Sequence, residues 1–420
     1  MQLPFINRVD ELRELNAAGR AGGLLVVFGR RRVGKTRLLT HWLESRKGLY
    51  SQAIEAAVGI QIEQILRDIG SALGTSLVPR SWTELLELLS LQREQNLLCL
   101  DEFPYLVASD PSLPSVLEQW LDHRRPRTFT LVLCGSSTSA MNDLFLHRSA
   151  PLYQRARKLL HVEPMGYEAF CDASRLPREN EASFTCFSLV GGIPKYWEFL
   201  EPNGTALDLA RDLFFARSAF LEDEPLRILR DERIRGLTAL SVLEAVGRGA
   251  EKPSEIAARL GTAQTNLGHV LRQLLDASLL TRDLPFGESL RSTKKMRYRI
   301  EDPALRFWFR VYSPHRTRWP TYSRHEQEKL VHDHASTVFE DCCRSRYPGA
   351  ARYWERNIEF DFVREEGKDA VVVSEVKFKR LGSAEKRRIE DDLATRWDRC
   401  ALSRRFRKAT FEVLDTAVLG

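Results

Sequence analysis

Two short stretches of this 420-residue chain combine residue types that handle phosphate and metal ions. In the first, Gly29-x4-Gly34-Lys35-Thr36 follows the apolar run Leu24 to Phe28 and opens an amphipathic segment. Strand, glycine-rich turn and helix start, in that order, aim backbone N–H groups at phosphate oxygens; Lys35 reaches the β and γ oxygens and the Thr36 hydroxyl holds Mg2+. Further on, the apolar run Leu97 to Leu100 ends in Asp101-Glu102. A strand parallel and adjacent to the first is expected to deliver this pair, with Asp101 on Mg2+ through water and Glu102 positioning or deprotonating the attacking water. A third run, Phe129 to Cys134, ends in Gly135-Ser136-Ser137, where a small hydroxyl could orient that water or sense the γ-phosphate, although Gly-Ser-Ser is also ordinary turn chemistry.

The second stretch is VVSEVKFKR, residues 372 to 380. With a period of two, Val372, Ser374, Val376 and Phe378 share one face and Glu375, Lys377 and Lys379 the other; on the preceding strand Ile358, Phe360 and Phe362 oppose Glu359 and Asp361. REEGKD, with Gly367, supplies the turn between them. Asp361, Glu375 and Lys377 then meet on paired strands. Two carboxylates can bind Mg2+ beside a phosphate while a lysine polarises water or stabilises the charged transition state. The bland reading is an amphipathic strand pair with a solvated polar face.

The remaining elements must position these groups. Hydrophobic residues at 43% and charged residues at 29% are globular values, and the length suits two to four domains. No basic segment followed by an apolar one opens the chain, and no run of about 18 apolar residues occurs, which points to a cytoplasmic protein without a membrane partner. Seven cysteines without a C-x-x-C pair read as reduced, mainly buried thiols. The net charge of +6 is too small to prove nucleic-acid binding, so its distribution matters. Residues 164 to 235 have helical spacing. LTALSVLEAVG, PSEIAARLG and AQTNLGHVLRQLLDASLLTR then give three short helices, and Leu279 to Thr281 with Met296 to Ile300 a β-hairpin wing. The wing carries Arg282, Arg291, Lys294, Lys295, Arg297 and Arg299 against Asp283 and Glu288, as phosphate tracking requires; Gln264, Thr265, Asn266, His269 and Arg272 are the recognition-helix candidates for DNA. A protein-protein module with a soluble basic wing is the alternative.

In order along the chain, Phe5-Ile6-Asn7-Arg8-x2-Glu11-Leu12, GRRRVGKT, LDEFPYL, CGSSTSAM, PLYQRAR and GGIPKYW resemble the archaeal-type ATPase family, a STAND-related branch of AAA+-like P-loop ATPases. Asn7 stands where that family usually has Gly, and Gln154 where Gly commonly precedes the Arg. The resemblance implies an α/β chain: a P-loop parallel-sheet ATPase core (1–163), a helical lid (164–235), a winged helix (236–315) and a C-terminal restriction-endonuclease-like domain (325–420). It implies a nucleotide-binding set of Arg8, Gly29, Arg32, Val33, Gly34, Lys35, Thr36, Arg37, Ser136 and Pro194, with Arg8 near the adenine, Ser136 or Ser137 as sensor, and Pro194 in the lid. Arg155 is the arginine-finger candidate, in cis or in trans, or else a solvated arginine. Arg30, Arg31 and Arg32 either neutralise phosphates or face water. Helix-Glu340, strand-Asp361 and Glu375-x-Lys377 resemble the PD-(D/E)xK nucleases, with Thr36 and Asp101 as metal ligands in the first site and Glu340, Asp361 and Glu375 in the second.

The expected function is an ATP- and Mg2+-dependent switch, a possible homo-oligomer, which binds DNA and gates a nuclease in genome maintenance or defence. The alternatives are a nucleotide-gated DNA-binding regulator, or a signalling scaffold, whose C-terminal domain has lost its chemistry.

Overall fold

The computed structural model describes residues 3–46, 48–73, 78–91, 96–289, 291 and 295–419. Five parallel strands form the first sheet: β1 (Gly23–Phe28), β2 (Leu49–Gln52), β3 (Leu97–Asp101), β4 (Thr130–Gly135) and β5 (Ala156–His161), in the order β2-β3-β4-β1-β5. β1, β3 and β4 are buried along their whole length. Their side chains alternate between two cores: Leu25, Val27, Cys99, Val132 and Cys134 on one face, Leu24, Val26, Leu98, Leu131 and Leu133 on the other. Burial on both faces explains why the sequence there is continuously apolar rather than alternating. One expectation needs correction: β3 is not beside β1, because β4 lies between them. Apolar runs carry no pairing information, so strand order was not readable from them.

Short helices follow β5, including Tyr167–Ser174, Glu181–Val190, Pro194–Trp197 and Glu224–Asp231. The helix Glu181–Val190, capped by Asn180, is buried on nearly every side. It packs against the sheet's first face and also against the 22-residue helix Arg324–Ser345. Phe184, Phe339 and Phe378 meet with centroids 5.2–5.4 Å apart, and the buried His334 Nε2 donates to the Ser188 carbonyl at 2.8 Å. One hydrophobic core therefore runs from β1 through this helix into the C-terminal region.

Helices Leu237–Gly247, Pro253–Leu260 and Gly268–Asp276 are followed by an antiparallel ribbon, β6 (Leu280–Asp283) and β7 (Arg297–Ile300), around a core of their own. The C-terminal sheet is mixed: β8 (Ala351–Glu355), β9 (Ile358–Glu365), β10 (Ala370–Val376) and β11 (Lys408–Leu414), in the order β11-β10-β9-β8, with only β10 and β11 parallel. Simple alternation fails on β9. Tyr353 opposes Phe360 while Ala351 opposes Val363, so β9 carries one extra residue between those pairs. This bulge sends Phe360 and Phe362 into different cores, not onto the one face that a period of two predicts. Asp361 sits inside it.

Candidate functional site

The phosphate loop is built on backbone that only glycine adopts easily. Gly29 has φ 147° and a Cβ there would meet the Val162 carbonyl oxygen at 2.4 Å; Gly34, at φ 100°, caps the helix Lys35–Glu44. The buried Lys35 ammonium donates to the carbonyls of Gly29 (2.7 Å) and Arg30 (3.1 Å). Although β4 intervenes, the strand ends converge: Thr36 Oγ1 donates to Asp101 Oδ2 at 2.7 Å, and the Tyr50 hydroxyl donates to the same oxygen at 2.9 Å. Asp101 Oδ1 accepts from the Glu102 N–H at 2.8 Å, so this fully buried carboxylate is held by three donors. Burial and Asp101 push the Tyr50 phenol well above its ordinary range, keeping it a donor. Glu102 lies in the left-handed region, φ 55°, and its Oε1 accepts from Ser136 Oγ at 2.8 Å. Of the two serines, Ser136 thus reaches the acid. Ser137 caps the helix Thr138–Phe145, and Glu232 accepts from Ser137, Ser139 and the Thr138 and Ser139 N–H groups. Tyr50 and Glu232 carried no signal in the sequence.

The arginines divide by role. Arg8 is buried, donating to the carbonyls of Val33 (2.8 Å) and Glu163 (2.9 Å), and so ties the N-terminal segment to the phosphate loop and the end of β5. The left-handed backbone at Asn7 (φ 57°) and Gln154 (φ 59°) explains why the resembling family has glycine there. Arg31 is exposed, whereas Arg30 and Arg32 are largely buried. Each meets a carboxylate from beyond the sheet: Arg30 with Asp302 at 2.5 Å, Arg31 with Asp231 at 2.9 Å, and Arg32 with Glu224 at 2.6 Å, its guanidinium also 4.6 Å from the Phe220 ring centroid. Glu224 accepts in addition from the Tyr196 hydroxyl at 2.6 Å, two residues after Pro194, which opens the helix Pro194–Trp197. Arg37 turns away to the Leu3 carbonyl. Arg155 is paired with Glu118 (2.7 Å) and Asp122 (3.0 Å) just before β5. Leu24 pairs with Ala156 and Phe28 with His161, so Arg155 is at the end of the sheet opposite the phosphate loop, roughly 13 Å of strand away. The chain does not bring Arg155 to its own phosphate loop.

In the C-terminal sheet the four expected groups converge. Asp361 Oδ2 accepts from the Val376 N–H at 2.7 Å; Glu375 accepts from Lys377 Nζ at 2.8 Å and from Arg396 at 3.1 Å. Burial and then Glu375 raise the Asp361 carboxyl to about 6, and burial and then Asp361 raise Glu340 to about 7. Burial opposes the Lys377 charge, but Glu375, Asp361 and Glu340 outweigh it and its pKa rises. Lys379 instead pairs with Glu385 at 2.6 Å. Arg352 and Arg396, which the sequence did not single out, supply the other facing cations. Among the described residues no three His, Cys, Asp or Glu close into a ready-made metal cage. A cluster of mutually repelling carboxylate oxygens still fits a hard divalent ion that takes its other ligands from water and phosphate.

Of the expected phosphate-tracking wing, Arg282 and Arg291 are exposed and three other cations are ion-paired. Arg297 pairs with Glu359 (2.9 Å), Arg299 with Asp341 (2.7 Å) and Asp283 (3.3 Å), and Lys295 with Glu288 (2.6 Å), while Lys294 lies outside the described residues. Gln264, Thr265, Asn266, His269 and Arg272 are all exposed. No helix of the described residues is long and apolar enough to cross a membrane.

Two sequence families match the chain: an ATPase domain predominantly from Archaea over residues 5–200, and archaeal and bacterial proteins of unknown function over 308–389. An uncharacterized protein of Methanocaldococcus jannaschii is 26% identical over 419 residues, covering 93% of this chain and 91% of that one. Among solved structures, the Walker-type ATPase of Pyrococcus abyssi superposes with a TM-score of 0.56 at 20% identity, covering 73% of this chain and 96% of that one. The Aeropyrum pernix ORC2 protein, solved as ADPNP and ADP complexes, gives 0.48 at 13% identity over 80% of this chain and 96% of that one. The glycine-bounded loop, Lys35, Thr36 and Asp101 stand together at the strand ends within residues 5–200, the span similar to the ATPase domain predominantly from Archaea.

Proposed function

We propose that this chain is an ATP-hydrolysing switch whose nucleotide state controls a metal-dependent nuclease site built from Glu340, Asp361, Glu375 and Lys377. The observation that carries the reading is the shared core. The helix Glu181–Val190 touches both the ATPase sheet's core and the helix that bears Glu340, and Phe378, next to Lys377, packs on Phe184. In this reading a shift of the lid helix is passed to the helix that bears Glu340 and so alters its distance from Asp361. In the ATPase site, Lys35 and the loop N–H groups would bind the phosphates, Thr36 and Asp101 would hold Mg2+, and Glu102, oriented by Ser136, would take the proton of the attacking water. In the second site, Asp361 and Glu375, with Glu340, would hold a divalent ion, which when bound stabilises charge on a phosphodiester. Lys377 is released from Glu375 to the reacting water. The three helices and ribbon are read as a winged helix that holds DNA through its exposed helix Gly268–Asp276.

Purified protein with ATP and Mg2+ or Mn2+ tests this on single- and double-stranded DNA and on RNA. Cleavage by the wild type, lost in Glu375→Gln with ATP hydrolysis kept, is the expected result. Every substrate left uncut by the wild type refutes the nuclease half.

A second reading is favoured by one observation: Glu375 is already neutralised by both Lys377 and Arg396, as in a nuclease-like domain that binds DNA or a partner without cutting. Mn2+ titration separates the two, since a live site binds the ion in an Asp361- and Glu375-dependent manner.

A further inference from the structure

A cavity of about 430 Å3 lies between the three-helix unit and the C-terminal sheet, walled by the end of the helix Leu237–Gly247, β7, the helix Arg324–Ser345 and the start of β8. Glu340 lines it, so it opens onto the acidic cluster. Five arginines and three acids face it, and the acids do not cancel the arginines. Asp341 is consumed by Arg299, Arg306 and Arg344 at 2.7–2.9 Å; burial works to raise its carboxyl, but these cations outweigh it and hold it at about 2. Arg310, by contrast, is exposed and forms no ion pair among the described residues. It belongs to the π-helical turn Trp308–Tyr312, a distortion that helices tend to keep at functional positions. Gly247 lets the turn before Arg248 press against that distortion: a Cβ there would meet Phe309 Cβ at 2.3 Å. Arg352, on the opposite wall, pairs with Glu359 at 3.1 Å and acts electrostatically on both Glu340 and Asp361. Arginines thus line the cleft from the outer surface, at the unpaired Arg310 and at Arg248, which is half-exposed and paired with Glu244, to Arg352 beside the carboxylates.

We propose that this cleft binds the phosphodiester backbone of a nucleic-acid strand beside the acidic cluster, with Arg310 and Arg352 as the contacting cations. The proposal rests on reading the cluster as a nuclease site, and it moves the main phosphate contacts from the ribbon, whose Arg297 and Arg299 are ion-paired, into the cleft.

The test uses the full chain with Ca2+ in place of Mg2+, and the anisotropy of fluorescein-labelled single- and double-stranded DNA and of single-stranded RNA across a salt series. Arg310→Glu is expected to weaken binding at least ~10-fold and to flatten the log K against log salt slope by about one contact, with ATP hydrolysis unchanged. Arg352→Ala should weaken binding in the same direction. Arg13→Ala, far from the cleft and exposed, should leave it within about twofold. Arg310→Glu binding within about twofold of the wild type overturns the proposal, as does failure of the wild type to bind any nucleic acid. Cleavage separates the two readings. If Arg310→Glu loses binding but the wild type never cuts, the cleft stands and the nuclease fails; if the wild type cuts and Arg310→Glu cuts with unchanged KM, the reverse holds.

Discussion

His334 gives the sharpest quantitative prediction, because its effect hardly depends on how far its pKa is displaced. The ring is fully buried where the lid helix meets the Glu340-bearing helix, its Nε2 donates to the Ser188 carbonyl, and its edge lies against Phe307 with centroids 5.1 Å apart. Burial, with Arg306 and Arg310 nearby, pushes its pKa down from 6.5 to about 3. A depressed histidine is excluded from protons in the folded state but takes one when unfolded, so its contribution to stability is complete above about pH 6.5 and is lost as pH falls from there towards 3. At pH 5 the loss is set by the unfolded pKa alone, 1.5 units below 6.5, or roughly 2 kcal/mol. His334→Gln keeps a donor for Ser188 and removes the titration. It should cost about 1 kcal/mol at pH 7.5, from packing and hydrogen-bond geometry, and draw level with or exceed the wild type at pH 5. Urea unfolding of both proteins at the two pH values measures this, since the other titrating groups cancel in the difference. A variant-to-wild-type difference that is the same at both pH values within about 0.5 kcal/mol refutes the reasoning.

Three further outcomes follow from the ATPase domain. Lys35→Ala should abolish phosphate release from ATP, and Glu102→Gln should lower it by two orders of magnitude or more while leaving nucleotide binding intact, measured by phosphate assay and by a fluorescent nucleotide. Arg32→Ala and Glu224→Gln should each destabilise the protein by about 2–3 kcal/mol, with a coupling above about 1 kcal/mol in a double-mutant cycle, because both side chains are largely buried; strict additivity would show that the pair is incidental. Gln154→Gly should raise stability by up to about 1 kcal/mol, since a left-handed glutamine costs more than the entropy that glycine adds to the unfolded chain; an unchanged or lower urea midpoint counts against it.

The groups that do chemistry were legible because their spacing is local. Gly29, Gly34, Lys35 and Thr36 lie within one turn and one helix start, and Glu375 and Lys377 share a strand face by parity alone. Segments with strong periodicity gave the three helices and the strands for the same reason. The two departures at Asn7 and Gln154 were also visible as letters, but their meaning, a left-handed backbone kept without glycine, needed dihedral angles.

What the tertiary structure decided is everything that depends on pairing across long separations. Apolar strands are interchangeable by composition, so only the fold could place β4 between β1 and β3 and still bring Thr36 to Asp101. An extra residue in β9 shows only against a partner strand, and it is what separates Phe360 from Phe362 around Asp361. The sign of a charge is written in the chain, but its partner is not. Arg30, Arg31 and Arg32 looked like phosphate ligands or solvated tips and are held by Asp302, Asp231 and Glu224, about 190 to 270 residues away, while Arg297 and Arg299 of the ribbon are taken up by the C-terminal region. Local sequence sets which chemistry is available. The long-range ion pairs and the shared core set which of those charges remain free to meet a ligand, since a buried cation must find a carboxylate wherever the fold supplies one.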